Sequence, residues 1–250
     1  MTAAEDHYRE TLRNASRWAR KPLLAAIYGE WYERIRAALV SDLSGETVEI
    51  GSGLGKIKSH IPECITTDLV SMDGIDRVES AYELRFPSGS VANLVLIDVF
   101  HHLRYPGTAL DEFARVLQPK GRLVLFEPAM SMLGYVVFGC MHPEALGRRN
   151  PITWRAPPGF DWRAEPYYTA QENCNRVFVR GEFAHELRGW NVLGIEALAA
   201  FAYLGSGGFS RPQLYPTAAL RWMRDLDVCL ARFPGLFAAR MLVVLEKNGA

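Results

Sequence analysis

The chain has 250 residues, and its 28 Lys+Arg are balanced by 28 Asp+Glu. With 49% hydrophobic and 22% charged residues it can bury a real core, which excludes wholesale disorder, and its length fits one α/β domain with appended lids or at most two small domains. A formal net charge of zero leaves no broad electrostatic footprint for nucleic acid, so no nucleic-acid partner is expected. The local clusters Arg17, Arg20, Lys21 and Arg148, Arg149 read as solvated faces. Cys64, Cys140, Cys174 and Cys229 form no CxxC pair and no zinc spacing. The opening segment MTAAEDHYRETLRNASRWARK is too charged for a secretory signal. No run reaches the ~18 apolar residues of a membrane span; the nearest, Ala129 to Met141, is too short and contains two glycines. A soluble, cytoplasmic protein is expected.

In chain order, residues 3 to 43 read as helix, with Leu23, Leu24, Ile27, Tyr28, Trp31, Tyr32 and Ile35 at helical spacing behind Pro22. From residue 45 the period changes. Thr47 to Ile50 is a short strand, followed by glycines at 51, 53 and 55 and a helix-compatible segment. Cys64 to Asp68 forms a second strand and Ile75 to Glu79 a third, while the continuous apolar run Val91 to Ile97 suits a strand buried on both faces. A helix is expected over Pro106 to Leu117, a turn at Pro119-Lys120-Gly121, and a strand over Arg122 to Phe126 closed by Glu127-Pro128. This alternation predicts a parallel sheet with right-handed crossovers. Residues 128 to 180, rich in Pro, Gly, Trp and Tyr, exceed an ordinary connection and read as a lid. Further along come a helix over Glu182 to Leu187, a strand over Trp190 to Ile195, a helix near Thr217 to Phe233, and a last strand, Met241 to Glu246.

Three features carry the chemistry. Glu49-Ile50-Gly51-Ser52-Gly53-Leu54-Gly55 places an E-x-G-x-G-x-G at a strand end, where glycines let the backbone turn sharply and approach a ligand. A dinucleotide fingerprint needs a third glycine or alanine where Lys56 stands, so the spacing argues against NAD. Asp68 ends the second strand, where a carboxylate can accept both ribose hydroxyls of a nucleoside or serve as a plain turn residue. Asp98-Val99-Phe100-His101-His102 follows the fourth strand at the edge where open α/β sheets bind ligands.

At these residues the chain resembles the class I S-adenosylmethionine-dependent methyltransferases, most closely their small-molecule branch. The segments Leu84-Arg85-Phe86-Pro87-Ser88-Gly89-Ser90 and Ala109 to Glu127 match that family's pattern too. The specific likeness covers about residues 45 to 128 and continues loosely through 182 to 247. It implies a Rossmann-like, seven-stranded, mostly parallel sheet with an antiparallel last strand. It divides the chain into an N-terminal helical lid (1–44), a cofactor-binding core (45–128), an acceptor-lid insertion (129–181) and a C-terminal completion (182–250). The implied cofactor is S-adenosyl-L-methionine, released as S-adenosyl-L-homocysteine. By the resemblance, Glu49, Gly51, Ser52, Gly53 and Gly55 hold the methionine portion, Asp68 the ribose, and Leu69 lies beside the adenine. Ala81 flanks the base and Asp98 lies near the methionine ammonium. Ser80 stands where the family often has an Asp for the adenine amine, Asn93 replaces a usual Asp, and Arg85 a usual Pro.

Methyl transfer from a sulfonium needs positioning and exclusion of water, and a general base only for a hydroxyl or acidic-carbon acceptor. His101 and His102 are the candidate catalytic residues, since imidazole titrates near neutrality. Glu127 reads as structural, and Tyr135 and His142 of the insertion either face the acceptor or serve as packing or surface residues. No carboxylate cluster marks a magnesium site, so no metal is expected. The fourth strand lacks the Asn/Asp-Pro-Pro-Tyr of nucleobase amine methylation and the Pro-Cys of cytosine methylation. A small-molecule or hydrophobic, lipid-linked acceptor remains, and the apolar, aromatic lid suits docking at a membrane surface. The alternatives are a non-catalytic binding protein on the same fold and an NAD-type oxidoreductase. Oligomeric state is not legible.

Overall fold

The computed structural model describes residues 3–142 and 144–249. The outermost expected residues, 1–2 and 250, and Pro143 of the insertion lie outside the described residues. One sheet organises the chain. Its strands are β1 (Glu46–Ile50), β2 (Ile65–Asp68), β3 (Arg77–Val78), β4 (Val91–Ile97), β5 (Leu117–Pro128), β6 (Trp190–Leu198) and β7 (Arg240–Lys247), in the order β3-β2-β1-β4-β5-β7-β6. Pairs β1–β2, β1–β4, β2–β3 and β4–β5 are parallel, whereas β7 runs antiparallel to both β5 and β6. The expected seven-stranded, mostly parallel sheet with an antiparallel last strand is therefore present.

The central strands are buried on both faces, as their unbroken apolar runs require. On one face, Leu94 and Leu96 of β4, Leu123 and Leu125 of β5 and Val243 of β7 pack with Leu110 and Phe113. Those two come from α3 (Pro106–Val116), whose first turn holds a proline. On the other face, Val95, Val124, Phe126 and Leu242 meet Leu24, Ile27, Trp31 and Ile35. These belong to α2 (Pro22–Ala38), which follows α1 (Ala3–Arg20) after a one-residue break and has Pro22 at its start. The two-residue strand period sends alternate side chains to the two cores. The end of α2 is tied to the sheet by Asn93, whose Oδ1 accepts from Val40 N at 2.8 Å and whose Nδ2 donates to Val40 O at 3.1 Å.

Two expected helices shrink to single turns. After the glycine loop, only Lys56–Ser59 is helical, as a 3-10 turn. Ile57 and Ile61 are both sunk in the core and Pro62 follows, so the chain descends directly to β2. Over Glu182 to Leu187 only Ala184–Glu186 forms a 3-10 turn, pinned between Gly181 and β6. The connection from β5 to β6 holds α4 (Met132–Val136), π-helical segments over Val137–Met141 and Asn175–Val179 and a 3-10 turn at Trp162–Ala164 amid irregular chain, and the segment from β6 to β7 holds α5 (Phe201–Ser206), α6 (Leu220–Leu230) and α7 (Pro234–Phe237).

Trp31 anchors α2, with its ring 4.8 Å from Phe126 and 4.8 Å from Tyr203. Replacing it with alanine (Trp31→Ala) is expected to cost about 3–5 kcal/mol of stability, the range for a large aromatic removed from a core. Trp222 on α6 is 61% exposed against 7% for Trp31, so Trp222→Ala should change stability by less than about 0.5 kcal/mol. Denaturant unfolding of the two variants checks the contrast; equal losses would contradict the assignment of the core.

Candidate active site

The carboxyl ends of β1, β2 and β4 open into one cavity of ≈ 790 Å³. Glu49, Gly51, Ser52, Gly53, Asp68, Leu69, Ser80, Ala81, Asp98, His101 and His102 all line it. Gly55 does not. A Cβ at Gly55 would lie 2.1 Å from Gly74 O, so this glycine serves the close passage of the β2–β3 loop behind the site. Gly53 is its opposite: φ is +55° and a Cβ would meet nothing within 4 Å, which leaves its bare backbone facing the cavity. The loop is stitched to β2, with Ser52 N donating to Thr67 O at 2.9 Å and Ser52 Oγ accepting from Thr67 N at 3.1 Å.

Asp68 is buried, and both of its oxygens have partners. Its Oδ2 accepts from Gly53 N at 2.8 Å, and its Oδ1 accepts from Leu69 N at 2.7 Å and meets His7 Nε2 at 2.8 Å. His7 lies on α1, so the first helix reaches across the cavity mouth to the carboxylate. Glu49 is buried beside Asp68, and its Oε2 has no hydrogen-bond partner among the described residues. Burial pushes its carboxyl up to about 8, helped by the Asp68 charge and opposed by Ser52. Ser80 Oγ accepts from Tyr82 N at 3.2 Å, while Glu79 turns aside to accept from Arg85 N at 2.9 Å.

The turn after β4 is held in an uncommon shape. Asp98 has φ +56°, a conformation that a non-glycine residue keeps only when its surroundings enforce it. Arg240, at the start of β7, ion-pairs with Asp98 while lying over the rings of Trp31 and Tyr203 at 5.1 and 4.8 Å. Glu127, wholly buried at the end of β5, accepts from Val99 N at 2.8 Å and Phe100 N at 2.7 Å through Oε1. Its Oε2 lies 2.7 Å from His101 Nδ1. Burial lowers the affinity of His101 for its proton, but the Glu127 charge and the nearby Glu144 outweigh this and raise it above the ordinary value. The neighbouring His102 is pulled the other way, by burial and by His101, and stays neutral with Nδ1 donating to Tyr168 O at 3.0 Å.

The insertion closes the far side of the cavity with Phe138, Met141, His142, Glu144, Tyr167 and Tyr168. Of the two insertion residues for which facing the acceptor is one reading, His142 lines the cavity, whereas Tyr135 donates to Glu172 Oε1 at 2.6 Å away from the cavity lining. Glu144 and Arg240 escape sequence reasoning because each stands in a stretch without a motif. His7 escapes it too, although a histidine within a charge-rich helix is a signal that could have been followed.

Residues 42–125 match the family model of a methyltransferase domain. That segment, which holds β1 to most of β5 and the glycine loop, is therefore similar to a methyltransferase domain. The domain's fold recurs in a chain of the Haloferax volcanii complex between the Trm112 methyltransferase activator and a methyltransferase. That likeness has a TM-score of 0.56 at 13% identity and covers 100% of this chain and 98% of that one. It recurs in a SAM-dependent methyltransferase of Thermotoga maritima, with a TM-score of 0.50, 14% identity and coverage of 98% and 96%. The [4+2]-cyclase SpnF shares it as well, with a TM-score of 0.51, 14% identity and coverage of 89% and 81%. At such identities these likenesses show the fold alone. No curated protein matches the sequence.

The buried Glu49 yields a pH prediction. A carboxyl raised from 4.5 to about 8 by folding makes the folded state hold a proton that the unfolded state has lost, between those pH values. Its contribution to stability therefore falls as pH rises through that window. The stability gained by Glu49→Gln over wild type should grow from pH 5 to about pH 8 in denaturant titrations. A gain independent of pH would show that Glu49 ionises normally.

Proposed function

We propose that the chain is an S-adenosylmethionine-dependent methyltransferase whose acceptor is a small or hydrophobic, lipid-linked molecule. The observation that carries this reading is the single cavity shared by the glycine loop, Asp68 and the histidine pair under an aromatic lid. The residues present fit the cofactor: Gly53 leaves its backbone open to the cavity, and Glu49 Oε2, unpartnered among the described residues, lies buried beside the loop. Glu49, Gly51, Ser52 and Gly53 would hold the methionine portion, Asp68 the ribose, and Leu69, Ser80 and Ala81 the adenine. S-adenosylmethionine supplies an electrophilic methyl group on a sulfonium.

The chain's own groups do the remainder by placement. Asp98 presents a half-exposed carboxylate for an ammonium, and Arg240 behind it balances the charge. Gly55 serves the loop's packing rather than contact. His101 and His102 stand at the acceptor half, where His102 offers an Nε2 lone pair that takes a proton or a cation. Phe138, Tyr167 and Tyr168 exclude water, which sharpens every electrostatic contact inside. Met132, Val136 and Met141, exposed beside the lid, support an apolar acceptor and contact with a lipid surface.

Calorimetric titration tests the reading. S-adenosylmethionine should bind and NAD should not, and Asp68→Ala should weaken binding by about 10- to 100-fold, the loss of hydrogen bonds to a charged group. Label carried from the methyl group should then pass to the organic phase of a cell extract. Binding without transfer to any fraction would instead favour a non-catalytic binding protein, a reading that the His7 contact on Asp68 also fits. No binding would overturn both.

A further inference from the structure

The acceptor half of the cavity holds a donor set that methyl transfer does not itself require. His101 and His102 follow β4 in one 3-10 turn, which sets their rings side by side with centroids 4.1 Å apart. Each ring is fixed from behind through Nδ1, His101 by the Glu127 carboxylate at 2.7 Å and His102 by the Tyr168 carbonyl at 3.0 Å. A carboxylate or carbonyl behind Nδ1 is the arrangement that orients an imidazole to ligate metal through Nε2. Both Nε2 atoms turn toward one carboxylate. Glu144 Oε2 lies 3.7 Å from His101 Nε2, and Glu144 Oε1 lies 4.0 Å from His102 Nε2.

Those separations are too long for hydrogen bonds. A histidine and a glutamate that existed only to pair with each other would close to about 2.7–2.9 Å. Donors sharing one cation at about 2.1 Å stand roughly 3–3.4 Å apart, so a small rotation of each ring completes the shell. One donor atom from each of the three residues already lies within 4.8 Å of the others. Glu144 is itself preset, accepting from Tyr167 OH at 2.7 Å and from Gln171 Nε2. His142 Nδ1, 3.7 Å from Glu144 Oε2, accepts from Glu144 N at 3.4 Å and so is not counted among the ligands.

We propose that His101, His102 and Glu144 form a binding site for a divalent transition-metal cation of the zinc type. Two imidazoles and one carboxylate suit zinc, iron or nickel better than magnesium or calcium, which take all-oxygen shells. Three protein ligands leave positions open toward the cavity, as in catalytic rather than structural zinc sites. The site's role rests on the methyltransferase reading: an acceptor hydroxyl held there loses its proton to solvent more readily. Cation binding itself does not depend on that reading.

The test uses the full chain, stripped with chelator and dialysed against Co2+ or Zn2+. One equivalent of Zn2+ per chain is expected by elemental analysis. Co2+ should give a visible absorption band that Zn2+ displaces. Glu144→Gln and His102→Ala should each weaken Co2+ binding by about 10-fold or more with unchanged thermal unfolding. Should Glu144→Gln fail to fold, His102→Ala, on a ring only partly buried, carries the comparison. Absence of stoichiometric binding, or binding that neither variant weakens, overturns the proposal. S-adenosylmethionine titration of the same samples separates the two ideas: metal without cofactor binding sinks the methyltransferase reading alone, and cofactor without metal sinks this one alone.

Discussion

At the carboxyl ends of β4 and β5, one buried carboxylate holds three groups at once. Glu127 accepts from the backbone N–H groups of Val99 and Phe100 and pairs with the His101 ring. A buried carboxylate is costly unless its lone pairs are filled, and here the filling groups are those that shape the turn. The turn's geometry then dictates the rest of the edge. Asp98 is forced to a positive φ and projects toward Arg240, while His101 and His102 are delivered to the cavity side by side. The strand end is rigid because the polar group that needs satisfying and the backbone that needs fixing satisfy one another.

The sheet's two faces explain how such an edge can be afforded a compact frame. Between β1 and β2 the chain makes only one 3-10 turn, so that crossover covers little of the sheet. The area is filled by α2, whose aromatic stripe reaches Val95, Val124 and Phe126. The same stripe brings Tyr28 to the cavity lining and Trp31 to Arg240, whose guanidinium lies over the rings of Trp31, Phe126 and Tyr203. A helix that precedes the sheet in sequence thus builds both the core and the floor beneath Asp98. Its predecessor α1 then carries His7 over to Asp68.

What could be read in the sequence was local. The glycine loop, Asp68 and the Asp98-to-His102 segment each sit within a few residues of a strand end, and strand order follows from alternation, so their convergence on one edge was legible. Partners that come from afar were not. Arg240 belongs to an ordinary apolar strand, and Glu144 lies in irregular chain where no period marks a side chain's direction. Gly55 looked like its two neighbours because the pattern of glycines cannot distinguish one that faces ligand from one that faces Gly74. The segment after the glycine loop is helix-compatible in its residues, but buried Ile57 and Ile61 and the following proline commit the chain to a single turn. The fold alone does not fix the reaction, as the shared architecture of a [4+2]-cyclase illustrates.

The central claim is that the ends of β1, β2 and β4 form a nucleoside-sulfonium site shaped by this buried clamp. Hydrogen exchange of the full chain with and without S-adenosylmethionine tests it most directly. The account predicts slowed exchange confined to residues 49–55, 68–69, 79–82 and 98–102, with no such change on adding NAD. Protection that appears elsewhere, around α6 and α7 for example, or equal protection by NAD, would contradict it.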